Sequence, residues 1–153
     1  MSRRLKQVAG VFFLVFAVAQ FVRPERANPP TDVSRTIEAQ LGTASGLVRV
    51  LDRACYDCHS NRTVWPGYTQ VAPVSWLMAY VVREGRKAVN FSEWASYQPG
   101  VQRMLLVASC RDASKGTMPG NPWTLLHPEA RLSTQDVETI CAPAREIEVG
   151  VAR

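Results

Sequence analysis

Residues 55–59 read Cys55-Tyr56-Asp57-Cys58-His59: two thiols three positions apart, then an imidazole. Thiols at that spacing on a helical turn can add across the two vinyl groups on one edge of a porphyrin. The adjacent imidazole then faces the iron. C-x-x-C-H is the attachment signature of c-type haem. The expectation is one covalent haem c, with Cys55 and Cys58 as thioether residues and His59 as axial ligand. A thioredoxin-like redox pair would follow a strand in a βαβ unit, and no strand pattern precedes Cys55. A structural zinc site needs two more ligands, and Cys110 and Cys141 do not form a second knuckle. A plain disulfide across the motif would leave His59 without a role.

Two residues compete for the opposite side of the iron. Met118 lies in Gly116-Thr117-Met118-Pro119, a loop rich in helix breakers, and its flexible thioether can reach a metal from such a loop. Its position between Gly and Pro counts against a role as core filler. His127 is the alternative, although Pro128-Glu129-Ala130 reads as a helical turn that His127 would precede and brace. Met118 is the expected ligand, so the metal set is His59 and Met118. An axial His usually donates its other ring N–H to a carbonyl, and Pro66 and Pro73 are the candidates for that carbonyl. Cys110 and Cys141 form a possible disulfide in an oxidising compartment, or else stay as two buried thiols. Trp65, Tyr68, Trp76, Trp94 and Trp123 flank the motif blocks, where a ring could line a crevice or reach a propionate, or simply pack in the core. Arg83, Glu84, Arg86 and Lys87 read as a charged patch, most simply a solvated face.

These residues need a scaffold, and the periodicity is helical throughout. Leu47, Leu51, Ala54 and Cys58 recur on one face of a helix that runs from residue 45 into the motif. Residues 61–72 are a loop, and Pro73 opens a helix over 74–88. Ser92 is placed to cap a short helix through Trp94. Pro99-Gly100 opens a third long helix that Gly116 ends, and 117–122 is loop. Ser133 and Asp136 form a capping box for a last helix, which Pro143 is expected to end early. No segment alternates as a strand does. The fold class is therefore all-α: a small helical domain which, given the attachment motif, is expected to wrap around one haem. Its long loops imply a large apolar group to pack on.

The chain has 153 residues, 46% apolar and 20% charged, which excludes wholesale disorder and leaves room for one domain and a short extension. The formal charge of +5 falls to +2 once residues 1–19 are set aside, so no basic stripe remains for nucleic acid. Arg3, Arg4 and Lys6 precede an uncharged apolar run over 8–22, and Ala17-Val18-Ala19 offers small residues for signal-peptidase cleavage. A cleaved signal and an uncleaved membrane anchor both fit this start. The expected organisation is a signal or anchor over 1–22, a Pro-rich linker over 23–31, a haem c-binding domain over 32–145, and a tail over 146–153.

Residues 54–94 and 116–136 resemble the bacterial haem-binding domain family of exported, single-haem c-type cytochromes. The C-x-x-C-H, the APVSW segment at 72–76, NFSEW at 90–94, the Met-Pro pair and the LHPEARLS run at 126–133 carry the resemblance. It implies a small cytochrome c-like helical domain wrapped around one covalent haem and an electron-transfer role, and its apolar start leans towards the anchor. The family pattern leads one to expect an aromatic residue where Ala142-Pro143 stands. The function expected is a monohaem cytochrome, not an enzyme, that passes single electrons between redox partner proteins. Its place would be the periplasm or the extracytoplasmic face of a bacterial inner membrane. A haem enzyme of the peroxidase kind, or a gas or redox sensor with an open sixth site, is the alternative.

Overall fold

The computed structural model describes residues 2–151, with side chains through 145. Among the described residues the chain is helical and contains no strand, as the periodicity requires. The helices are α1 (Arg3–Ala19), α2 (Ile37–Leu41), α3 (Gly46–Ala54), α4 (Tyr56–His59), α5 (Val74–Ala88), α6 (Pro99–Ser114), α7 (Asn121–Leu126) and α8 (Thr134–Val151). Short 3₁₀ turns at Val33–Arg35, Gly67–Gln70, Phe91–Ser96 and Pro128–Ala130 join them.

The core gathers apolar residues from α2, α3, α4, α6 and α8 and from the segment after α5: Ile37, Leu47, Val50, Leu51, Tyr56, Val89, Phe91, Trp94, Ala113 and Ile140. Tyr56 belongs to the motif itself, so the cysteine turn is seated directly on the core. α6 and α8 pack along one another, and a Cys110–Cys141 disulfide joins them. α4 packs on α5, and α3 packs on both α4 and α8.

Local chemistry explains most boundaries and corrects several expectations. The single helix expected from residue 45 through Cys58 is broken at Cys55, whose φ of −125° leaves the helical region and sets α4 off from α3. Asn90, not Ser92, caps the turn at Phe91–Ser96, its side chain accepting from the Ser92 amide. Gly116, at φ +65°, ends α6. Around it the Thr117 N–H donates to Asp112 O and the Gly116 N–H to Ala113 O, a Schellman closure. The Ser133–Asp136 box forms as expected, with Asp136 Oδ2 accepting from the Ser133 amide at 2.8 Å. Pro143 does not end α8, which runs on to Val151 and takes up much of the expected tail. The lost hydrogen bond to Thr139 O is outweighed where α8 is buried through Ile140, Cys141 and Ala144 and tied to α6. Residues 152–153 of that tail lie outside the described residues.

No residue of α1 is buried, and Phe12 and Phe13 are more than 70% exposed. No described helix is long and apolar enough to cross a membrane. Residues 23–31 are extended, as their prolines dictate. They do not stand free as a spacer; they lie along the domain, hydrogen-bonded to it from both sides.

Candidate haem site

α4 supplies Cys55 as its N-cap, then Cys58 and His59 within one turn. Backbone bonds from the Cys58 and His59 amides to Cys55 O close that turn, at 3.2 and 2.9 Å. The three chemical groups are thereby brought together, and each keeps part of its surface open. Burial pushes the Cys55 thiol up to about 12 and the Cys58 thiol up to about 11. Both stay protonated at neutral pH. That is the opposite of a thiolate-based redox pair or a zinc knuckle, which need lowered thiol pKa values. Cys110 and Cys141 are bonded to each other, so neither is available as a further zinc ligand.

The His59 ring is oriented by backbone carbonyls near the end of α5. Its Nδ1 lies 3.2 Å from Val89 O. A carbonyl can only accept, so Nδ1 carries the proton and Nε2 is left with its lone pair. The partner is neither Pro66 nor Pro73; the chain doubles back through α5 and presents the carbonyl just past its C-terminus. Burial also holds the His59 pKa below the ordinary histidine value, which favours the neutral imidazole a metal requires.

Two features that sequence reading passed over set the turn against α5. A Cβ on Gly85 would stand 2.4 Å from Cys58 O, so only glycine allows the helix to lie flush on the motif. Arg86, read above as part of a solvated face, turns inward and donates from Nε to Ser60 O at 2.8 Å. Arg83, Glu84 and Lys87 do form an exposed ion cluster. The i, i+3 and i+4 relation of Val82, Gly85, Arg86 and Val89 is the signal that separates the inward face from this outward one.

The second histidine is arranged differently. His127 Nε2 meets the Tyr68 hydroxyl at 2.6 Å, and Nδ1 meets Glu129 Oε1 at 2.8 Å. Its ring stacks on Trp123, with centroids 3.7 Å apart and planes at 12°. Both nitrogens are engaged, and the bracing role expected of His127 is the one it plays. Met118 sits on the separate loop after α6, 51% exposed, with its amide on Asp112 O at 3.3 Å. Its thioether is therefore not packing in the core.

The residues present fit a haem. Two protonated thiols and a neutral, oriented imidazole share one turn. Trp65 Nε1 is a buried donor with no partner, of the kind a propionate carboxylate satisfies. Leu77, Tyr80 and Met104 keep large apolar side chains exposed on α5 and α6.

Comparison with known proteins gives one match. The family model of the haem-binding domain matches residues 14–146, and the chain belongs to that family. No curated protein and no solved structure matches the chain.

Proposed function

We propose that this haem-binding domain protein is a monohaem c-type cytochrome that carries single electrons. The observation that carries this reading is the α4 turn, where Cys55, Cys58 and His59 converge while Val89 O fixes the ring with Nε2 free. When bound there, haem supplies a one-electron ferric–ferrous couple, tuned by its axial ligands and burial. Cys55 and Cys58 would hold it through thioether bonds, and His59 Nε2 would bind the iron. Met118 is the residue we assign to the sixth position, because His127 has both nitrogens committed to Tyr68 and Glu129. The same commitments count against His127 as the distal acid–base residue of a peroxidase. With both ligands retained in the two oxidation states reorganisation would stay small, which suits an electron carrier and not a catalyst of bond chemistry.

We place the domain outside the cytoplasm. The Cys110–Cys141 pair favours an oxidising compartment, as does the basic, apolar start of the chain. Whether residues 8–22 are cleaved or hold the protein in the membrane, the partners are redox proteins of the same compartment.

Mass spectrometry of protein matured in a host competent for haem c attachment tests the reading. One added haem that survives acid acetone supports it, and an unmodified mass overturns it. Spectra of both redox states should show low-spin haem that binds little carbon monoxide near neutral pH. A high-spin, carbon monoxide-binding protein would transfer the reading to the enzyme or sensor.

A further inference from the structure

One guanidinium joins three parts of the chain that are far apart in sequence. Arg86 donates from Nε to Ser60 O at 2.8 Å, and from Nη2 to Thr63 Oγ1 at 2.9 Å and Asn28 Oδ1 at 2.8 Å. Nη1 reaches Ala27 O at 3.3 Å. Asn28 in turn donates to Thr63 O at 2.9 Å, and Arg26 to Thr69 O at 2.7 Å. Asn61 closes the same knot from the other side, its Nδ2 donating to Pro30 O at 3.3 Å while its Oδ1 accepts from Asn90. Further up, Gln20 brackets the Ala72 backbone and Trp76 Nε1 donates to Val22 O at 2.7 Å. Residues 20–30 are thus a strap, fastened along its length to the segment that follows His59.

We propose that Arg86 is a positioning residue for the haem site, and that it makes the strap part of that site by binding residues 27–28 to the turn at 60–63. The inference rests on His59 as the axial ligand. The physical case is that Ser60 follows His59 directly, so holding its carbonyl holds the exit of the ligand turn. Arg86 lies one residue after Gly85, whose missing Cβ lets the helix approach that turn, and three before Val89, whose carbonyl sets the ring. A planar fork with several donors can satisfy four acceptors on two segments at once; an ammonium on a flexible stem does not reproduce that geometry. Ser60 is fully buried, so the bond from the Arg86 guanidinium to its carbonyl is charge-assisted and partly shielded from water.

The test uses the full chain carrying haem, with Arg86→Gln, Arg86→Lys and Asn28→Ala. Covalent haem should remain in all three, since the thiols are untouched. The amides of Asn61, Arg62 and Val64, which donate to Ser92 Oγ, Ser60 Oγ and Asp57 Oδ1, should exchange with solvent at least about tenfold faster in Arg86→Gln. The reduction potential and the low-spin spectrum should shift with them. Arg86→Lys should fail to restore either, and Asn28→Ala should show the same changes to a smaller degree. Native exchange and potential in Arg86→Gln would overturn the proposal. So would full rescue by Arg86→Lys, which would make the effect one of charge alone. If Arg86→Gln does not fold, Asn28→Ala decides by the same readouts. A native chain without covalent haem, or one whose spectrum is indifferent to His59→Ala, would instead sink the cytochrome reading.

Discussion

The turn at residues 55–63 and the loop at 116–127 each present candidate iron ligands, and they are built on different principles. The turn is held from every side: by its own backbone closure, by Gly85 lying against Cys58, by Val89 O on the His59 ring and by Arg86 on Ser60. The loop hangs between two anchors, the Schellman end of α6 and the His127 bracket, with Met118 open between them. The lesson lies in what occupies the other atoms of each ligand. His59 and His127 are the same residue type, yet only His59 has a free nitrogen. In the proposed cytochrome the rigid side would fix the His59 imidazole, and the suspended side would leave the Met118 thioether free to reach the opposite face.

The largest effect separating the two regions should come from the disulfide. Cys110 and Cys141, 31 residues apart, enclose the whole loop with Met118 and His127. Loop-closure entropy puts the link at roughly 3–4 kcal/mol. Cys110→Ser should lower the unfolding free energy by that much, seen as a lower urea midpoint, and speed amide exchange across the loop. Exchange at the 55–63 turn should be far less affected. Equal loss of protection in both regions would mean that they form one cooperative unit, and the comparison would fail.

Gly85→Ala attacks the other side. A methyl placed 2.4 Å from Cys58 O meets backbone, which cannot swing away as a side chain would. Overpacking of this kind costs about 1–3 kcal/mol, and here the upper end is expected, together with poorer haem attachment. Gly67→Ala, with nothing within 4 Å, is the control and should behave as native in attachment. Native attachment and stability in Gly85→Ala would show that α5 need not lie flush on the motif.

How much of this was legible in the sequence follows the range of each interaction. The attachment motif, the helix over 74–88, the Gly116 stop and the Ser133–Asp136 box are written in spacings of a few residues, and they could be read directly. The Val89 carbonyl could not, because it reaches His59 from thirty residues away and no side chain announces it. Arg86 was read as solvated because its neighbours Arg83, Glu84 and Lys87 are; one step around the helix reverses its surroundings. The linker's prolines announced an extended chain, but nothing local said that Arg26 and Asn28 would bind it down. Pro143 carried a true local preference that packing on α6 overrode.

Asp136 gives a smaller, pH-dependent test on the loop side. Its carboxylate accepts from Ser133 and pairs with Arg53 at 2.8 Å, and these bonds, the Ser133 amide first, hold its pKa below the ordinary value of 3.8. A folded pKa below the unfolded one means the folded state favours the charged form. The stabilisation is therefore complete above about pH 5 and is lost as pH falls through 3.8 and below. Asp136→Asn should cost about 0.5–1 kcal/mol at pH 7, the scale of a lost carboxylate in the first turn of a helix. The difference from native should shrink as the pH falls through 3.8 and below. A deficit that persists there would place the effect in packing, not in the charge of the cap.

Met118→Ala should have the smallest effect on folding and the most telling one on the site. A side chain 51% exposed contributes little packing, so stability should change by no more than about 0.5 kcal/mol. In the haem-loaded protein the same change should open the sixth position, admit carbon monoxide and lower the reduction potential, since a thioether ligand raises it. His127→Ala should do the reverse. Loss of the Tyr68 and Glu129 bonds and of the Trp123 stack should cost about 1–2 kcal/mol while the spectrum stays low-spin. The pair of variants thus crosses two readouts, stability and coordination, and the comparison predicts that they move apart. If His127→Ala turns the protein high-spin and Met118→Ala leaves it unchanged, the bracket around His127 must open when haem binds. The suspended loop would then supply the histidine, and the contrast between the free and engaged imidazoles would hold only before the cofactor enters.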